Sequence, residues 1–116
     1  MALDVKANNA MLDALGLLAT RVAYHTGDPG AADTASNEVV GGSYARGTIA
    51  WNAAAASSMS AGTLPTISIP AGVSVTWISM WNAAGTVRYQ KKALGATETF
   101  GAAGTLALTS ATLSLT

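Results

Sequence analysis

The stretch "VSVTWISMW", residues 73–81, reads as the strongest strand of the chain. Val73, Val75, Trp77 and Trp81 alternate onto one face, and Ile78 and Met80 fall on the other. Apolar bulk on both faces predicts a central strand covered on both sides. Before it, "PAG" at 70–72 marks a tight turn. The preceding "TLPTISI", 63–69, places Pro65, Ile67 and Ile69 on one side, with the proline demoting it to an edge strand or strand start. After it, "NAAG" turns the chain into "TVRYQKK", 86–92, where Val87 and Tyr89 alternate with Arg88, Gln90 and Lys92. A loop-like "ALGATETFGAAG", 93–104, leads into "TLALTSATLSLT". There Leu106 and Leu108 sit on even positions and Leu113 and Leu115 on odd ones. That change of phase predicts a bulge or turn around Ser110.

Working towards the N-terminus, "YARGTIAW", 44–51, alternates Ala45, Ile49 and Trp51 against Tyr44, Arg46 and Thr48. It runs into a small-residue connector, "NAAAASSMSAG". Upstream lies a long polar stretch, "HTGDPGAADTASNEVVGGS", of a length that loops reach when they are functional or held by a partner. Leu18, Val22 and Tyr24 alternate with Arg21 and His25 as in a half-buried strand. Residues 4–15 carry Val5, Ala7, Met11, Leu12 and Leu15 at helical spacing, with Asp4 suited to the start and Gly16 to the stop. Turns recurring every 8–12 residues or so among short alternating strands indicate an antiparallel arrangement. The expected fold is mostly β: an antiparallel, jelly-roll-like β-sandwich with one short N-terminal α-helix. It forms one domain over 1–116, with the helix in 1–17 and the sandwich in 18–116.

Half of the 116 residues are hydrophobic, yet only 10% are charged, against about 25% in ordinary domains. Six Lys and Arg balance six Asp and Glu, leaving no electrostatic footprint for nucleic acid or an anionic membrane. So little charge favours association, so a homo-oligomer is expected. There is no cysteine, hence no disulfide, thiolate nucleophile or Cys-based zinc site. The first residues lack the basic start and unbroken apolar run of a signal peptide. No segment approaches about 18 uninterrupted apolar residues, so no membrane span is expected. Synthesis in the cytoplasm of the producing cell is the expectation.

The one histidine, His25, opens "HTGDPG". No G-x-S-x-G accompanies it, and Asp28 stands three residues away in a Gly/Pro turn, where its side chain bonds its own backbone. A Ser-His-Asp site therefore lacks its parts. A single His without Cys makes a poor transition-metal set. Asp28, Asp33 and Glu38 lack the calcium-loop spacing. "GDPG" has no Lys-Ser/Thr to complete a phosphate loop, and reads as a turn with Pro29 at its second position. Glu38 and Glu98 are the only glutamates, which leaves a glycosidase carboxylate pair unsupported. Arg88, Lys91 and Lys92 read as a lysine-guarded strand edge. Trp51, Trp77 and Trp81 read as core more readily than as a sugar platform. No catalytic residue, metal or cofactor is expected.

"HTGDPG" at 25–30, "NEVVGGSYAR" at 37–46, Trp51, "IPAGVSVTWISMWNAAG" at 69–85 and "ETFGAAGTLALTSATLSL" at 98–115 together resemble a known family. It comprises small virion structural proteins of tailed phages, especially those of actinobacteria, of minor capsid, decoration, minor tail or tail-fibre type. The resemblance implies a compact β-rich domain that docks on a phage particle. It implies a place in the virion, with the major capsid protein or tail proteins of the same phage as partners. The expected role is capsid decoration, bridging capsid subunits on the assembled head; a minor tail or tail-fibre role in adsorption is the alternative. The expected contact residues are Val5, Met11, Leu12 and Leu15 on the helix, with His25, Asp28, Pro29, Glu38 and Tyr44 in and beside the long loop. The helix would either meet a partner or cover the open end of the sandwich.

Overall fold

The computed structural model describes residues 4–114. One helix, α1 (Val5–Leu18), precedes nine strands: β1 (Arg21–His25), β2 (Gly47–Thr48), β3 (Ala50–Trp51), β4 (Ser58–Thr63), β5 (Thr66–Ile69), β6 (Val73–Trp81), β7 (Arg88–Phe100), β8 (Gly104–Ala107) and β9 (Thr112–Ser114). The first layer is an antiparallel sheet in the order β2-β1-β6-β7. The second is a ribbon in which β5 pairs with β8 and β4 with β9, with β3 on the other edge of β4. The Ala61 N–H to Ala111 carbonyl bond and the Leu108 N–H to Pro65 carbonyl bond join its two halves. Val22, Tyr24, Val75, Ile78 and Met80 from the sheet meet Ile49, Ile67 and Ile69 from the facing chain, and Val39 joins them. The result is a mostly β, antiparallel, sandwich-like domain measuring 47 × 27 × 27 Å.

As its two apolar faces require, β6 is central. The division of its residues differs from simple alternation, because the register slips between Val75 and Trp77. Opposite Thr76, β7 carries residues 94–97, so the strand twists locally and Val75 ends on the same face as Ile78 and Met80. Trp77, Ser79 and Trp81 occupy the opposite face, beside Ala23 and His25 of β1. β1 is not half-buried: Val22, Ala23, Tyr24 and His25 are all buried, and Leu18 belongs to the helix.

Three further expectations need correction. "YARGTIAW" is not one strand, because the chain leaves the sheet after β2 and joins the ribbon at β3, with Ile49 buried at the crossing. Met59 buries one side of "SMSAGT", which makes β4 of a stretch whose small residues read as connector. Residues 93–100 continue β7 and are not a loop, apart from the bulge at 94–97. The phase change near Ser110 is present: residues 108–111 separate β8 from β9. Met59 and Ile67 are eight positions apart, whereas their strand partners Leu113 and Leu106 are seven positions apart. Leu115 lies outside the described residues.

The helix also departs from its expected end. Gly16 lies within it, and a Cβ there would meet Trp51 Cβ at 3.3 Å and Met59 Sδ at 3.5 Å. Its absence lets the helix approach the ribbon, and the helix stops only when the Trp51 indole N–H takes the Ala19 carbonyl at 2.9 Å.

Gly47 is the other point of close approach, because a Cβ there would collide with Pro65 and crowd Ile67. Gly47→Ala is therefore expected to destabilise the domain by about 1–3 kcal/mol, the usual cost of overpacking. Gly95→Ala, where nothing lies within 4 Å, should stay within about 0.5 kcal/mol of the parent. Urea unfolding of both variants measures the difference.

Candidate functional site

The long loop between β1 and β2 seals the second face of the β1–β6 pair. It first continues along the free edge of β1: the Val39 N–H donates to the Tyr24 carbonyl at 3.0 Å and the Thr26 N–H to the Asn37 carbonyl at 2.8 Å. Covering a sheet with irregular chain leaves polar groups that must be paired. His25 solves part of this. Fully buried, its Nδ1 lies 3.0 Å from the Ser36 carbonyl and its Nε2 lies 2.6 Å from Ser79 Oγ. A carbonyl only accepts, so Nδ1 carries the proton and Nε2 accepts from the Ser79 hydroxyl. Ser79 Oγ in turn accepts from the Trp81 indole N–H at 2.7 Å. The chain of donors closes only with a neutral imidazole, and burial correspondingly holds His25 below its ordinary 6.5.

"NEVVGGSYAR" forms the second part of the seal. Arg46 grips Glu38 with two bonds, Nε to Oε2 at 2.9 Å and Nη2 to Oε1 at 2.8 Å. The Tyr44 hydroxyl donates to Glu38 at 2.8 Å and accepts the Tyr24 N–H at 3.2 Å. The Arg46 guanidinium stacks 4.2 Å above the Trp81 ring, an arrangement suited to its flat, weakly hydrated cation. Burial works against the Glu38 carboxylate, and the bonds from Arg46 and Tyr44 outweigh it, so its carboxyl sits below the usual range.

The third part lies at the tip. Asp28 accepts the Gly30 N–H at 2.9 Å, the turn expected of "GDPG", with Gly30 at φ 95°. Lys91 reaches from β7 to Asp28 Oδ1 at 2.8 Å and to the Gly30 carbonyl at 2.9 Å. Arg88 holds the Gly30 and Thr34 carbonyls at 2.7 and 2.6 Å, and its backbone N–H donates to Asp33. Arg88 and Lys91 are thus clamps on the loop, which corrects their reading as a solvated strand edge; Lys92 alone of the three is exposed. Hydrogen bonds from Lys91 and Gly30 hold the exposed Asp28 carboxyl below its ordinary value.

The structure brings His25, Asp28, Pro29, Glu38 and Tyr44 into this one seal. His25 and Pro29 are buried within the chain, and Leu12 is buried under the helix, so these three present no surface to a partner. Glu38, Tyr44 and Leu15 are half-buried, whereas Val5, Met11 and Asp28 are exposed. Sequence reasoning missed Ser79 as the partner of His25, Trp81 as the donor to Ser79, and Arg88 and Lys91 as partners of the loop. The register of β1 on β6, which sets His25 opposite Trp77 and Ala23 opposite Ser79, is the signal that a sequence alone does not contain.

The loop is thus bound along its length to the β-layer. The family described as podophage GP4 fiber I protein gp80 matches residues 8–116. The chain belongs to that family. It is therefore a structural protein of a phage virion, and the fibre-family match spans both layers, the sealing loop and most of the helix. No curated protein and no solved structure matches it significantly.

Because His25 is the only histidine, the seal has a clean pH signature. A neutral buried imidazole resists protonation that the unfolded chain accepts, so its contribution is full above pH 6.5 and declines as pH falls through that value. Melting temperatures between pH 8 and pH 5 should drop for the parent and stay flatter in His25→Gln, which begins from a lower stability. Glu38 loses its contribution only at more acid pH, below its ordinary 4.5. Arg88→Ala should raise amide exchange in residues 27–36 while leaving β6 protected, as read by hydrogen-exchange mass spectrometry.

Proposed function

We propose that the chain serves as a fibre component of the phage tail, contributing to adsorption, in preference to the capsid-decoration role expected from sequence. The observation that carries this reading is membership of a fibre family over residues 8–116. The domain's elongated form, 47 Å against 27 Å, suits an element of a fibre. Its partners are then tail proteins of the same phage and other copies of itself, and its place is the virion, after synthesis in the bacterial host.

The proposed role is non-catalytic. The one serine–histidine pair among the described residues, Ser79 and His25, is 1% and 0% exposed, which leaves no room for a substrate atom beside the hydroxyl. Trp81 donates to that same hydroxyl and holds it in place. Glu38 is committed to Arg46 and Tyr44. Binding would instead use exposed side chains on a scaffold held rigid by the seal.

Immunogold labelling of purified particles, with quantification of this chain against the major capsid protein, tests the proposal. Gold at the tail and a small copy number relative to the capsid protein are expected. Label spread over the head, with a copy number approaching that of the capsid protein, restores decoration and overturns the fibre reading.

A further inference from the structure

Two arginines face one cleft at the end of the sheet where β6 turns towards β7. Arg21 stands opposite Trp81 in the register of β1 on β6, and the Arg46 guanidinium lies 4.2 Å over the ring of the same tryptophan. With Ala83, Ala84 and Gly85 they line an open cleft of about 390 Å³, a volume within the range of small-ligand sites. Among the described residues no carboxylate lines it.

Each guanidinium keeps donors in reserve. Arg46 commits Nε and Nη2 to Glu38, while its Nη1 lies only 3.2 Å from where a Gly85 Cβ would stand, at the wall of the cleft. Arg21 is half-buried, and its Nη1 donates to the Thr20 carbonyl at 3.2 Å. It has no ion-pair partner among the described residues, where Arg46 and Lys91 both have one. Glu38 balances Arg46, so Arg21 is the uncompensated charge of the pair. The turn that forms the wall is preformed. Asn82 Oδ1 accepts the Thr86 and Val87 N–H groups at 2.8 and 3.1 Å, and the Gly85 N–H donates to the Asn82 carbonyl at 3.0 Å. Gly85 sits at φ 75°, and the Ala83 and Ala84 N–H groups are engaged by no other described residue. A fixed wall of small residues beside two planar donor forks lowers the ordering cost of binding, and guanidinium groups match the oxygens of carboxylates and phosphates.

We infer that this cleft binds an oxyanion, held by Arg21 and by Nη1 of Arg46 against the Ala83–Gly85 turn. Its source is a charged sugar of the host surface bearing a carboxylate or a phosphate. That source rests on the adsorption reading above, whereas the oxyanion chemistry of the cleft does not.

Titrating the isotope-labelled chain with glucuronate or with glycerol phosphate, at constant ionic strength and followed by NMR, tests the inference. Saturable shifts confined to the Arg21 Nε–H and the amides of residues 83–85 are expected, with glucose giving none. The tighter of the two probes tells a uronate source from a phosphate one. Arg21→Gln should weaken binding about tenfold, the loss expected of a charge-assisted hydrogen bond. Ala84→Glu, at an exposed turn position, should fill the cleft with its own carboxylate and abolish binding, while amides outside the cleft keep their positions. Failure of both probes to saturate, an equal response to glucose, or binding indifferent to both substitutions overturns the inference. So does self-association that Arg21→Gln abolishes, which assigns the cleft to a carboxylate of a second copy. The adsorption reading fails separately: label on the head with oxyanion binding intact removes the proposed source alone, and a tail location with an inert cleft removes the cleft alone.

Discussion

The structure depends on one constraint: the outer face of β1 and β6 is covered by irregular chain, so every polar group trapped there must find a partner. A facing sheet would satisfy its own backbone groups. A loop cannot, and an unpaired buried donor or acceptor costs about 1–3 kcal/mol. His25 answers this with both ring nitrogens, joining the Ser36 carbonyl in the loop to Ser79 on β6. Trp81 completes the circuit from one side and lends its ring to Arg46 on the other. The single histidine is thus a two-ended cross-link between a loop and a sheet, useful because it is neutral.

The scarcity of charge takes on meaning in this setting. Of the six basic residues, Arg46, Arg88 and Lys91 are spent inside the chain, on Glu38 and on the carbonyls and aspartates of the loop tip. Their value is in position. Arg46 and Glu38 are partly shielded from solvent and geometrically matched, whereas the more exposed Lys91–Asp28 pair contributes less to stability. What remains for the exterior is a nearly neutral surface with small residues on α1 and β7. Such a surface suits a component that works as part of a larger particle.

The β-layers and the helix divide the work differently. The core is formed by the sheet and the ribbon, and the helix adds little apolar burial beyond Leu12. It is attached through asparagine and aspartate side chains to the connector between β3 and β4. An attachment of this kind positions the helix while leaving its apolar residues unspent.

The sequence by itself determined the β-rich class, the centrality of residues 73–81, the slip near Ser110 and the turn at "GDPG". Each rests on local chemistry: side-chain alternation, or the backbone preferences of glycine, proline and aspartate. Only the tertiary structure decided which face each residue took. The bulge opposite Thr76 moved Val75 to the face of Ile78, the change of layer at Ile49 split one apparent strand into two, and polar docking turned Met11 outward. It also decided the partners of His25, since Ser36 and Ser79 lie 11 and 54 residues away. Periodicity describes a segment relative to itself, whereas burial and pairing depend on what another segment brings against it, and that is settled only when the layers meet.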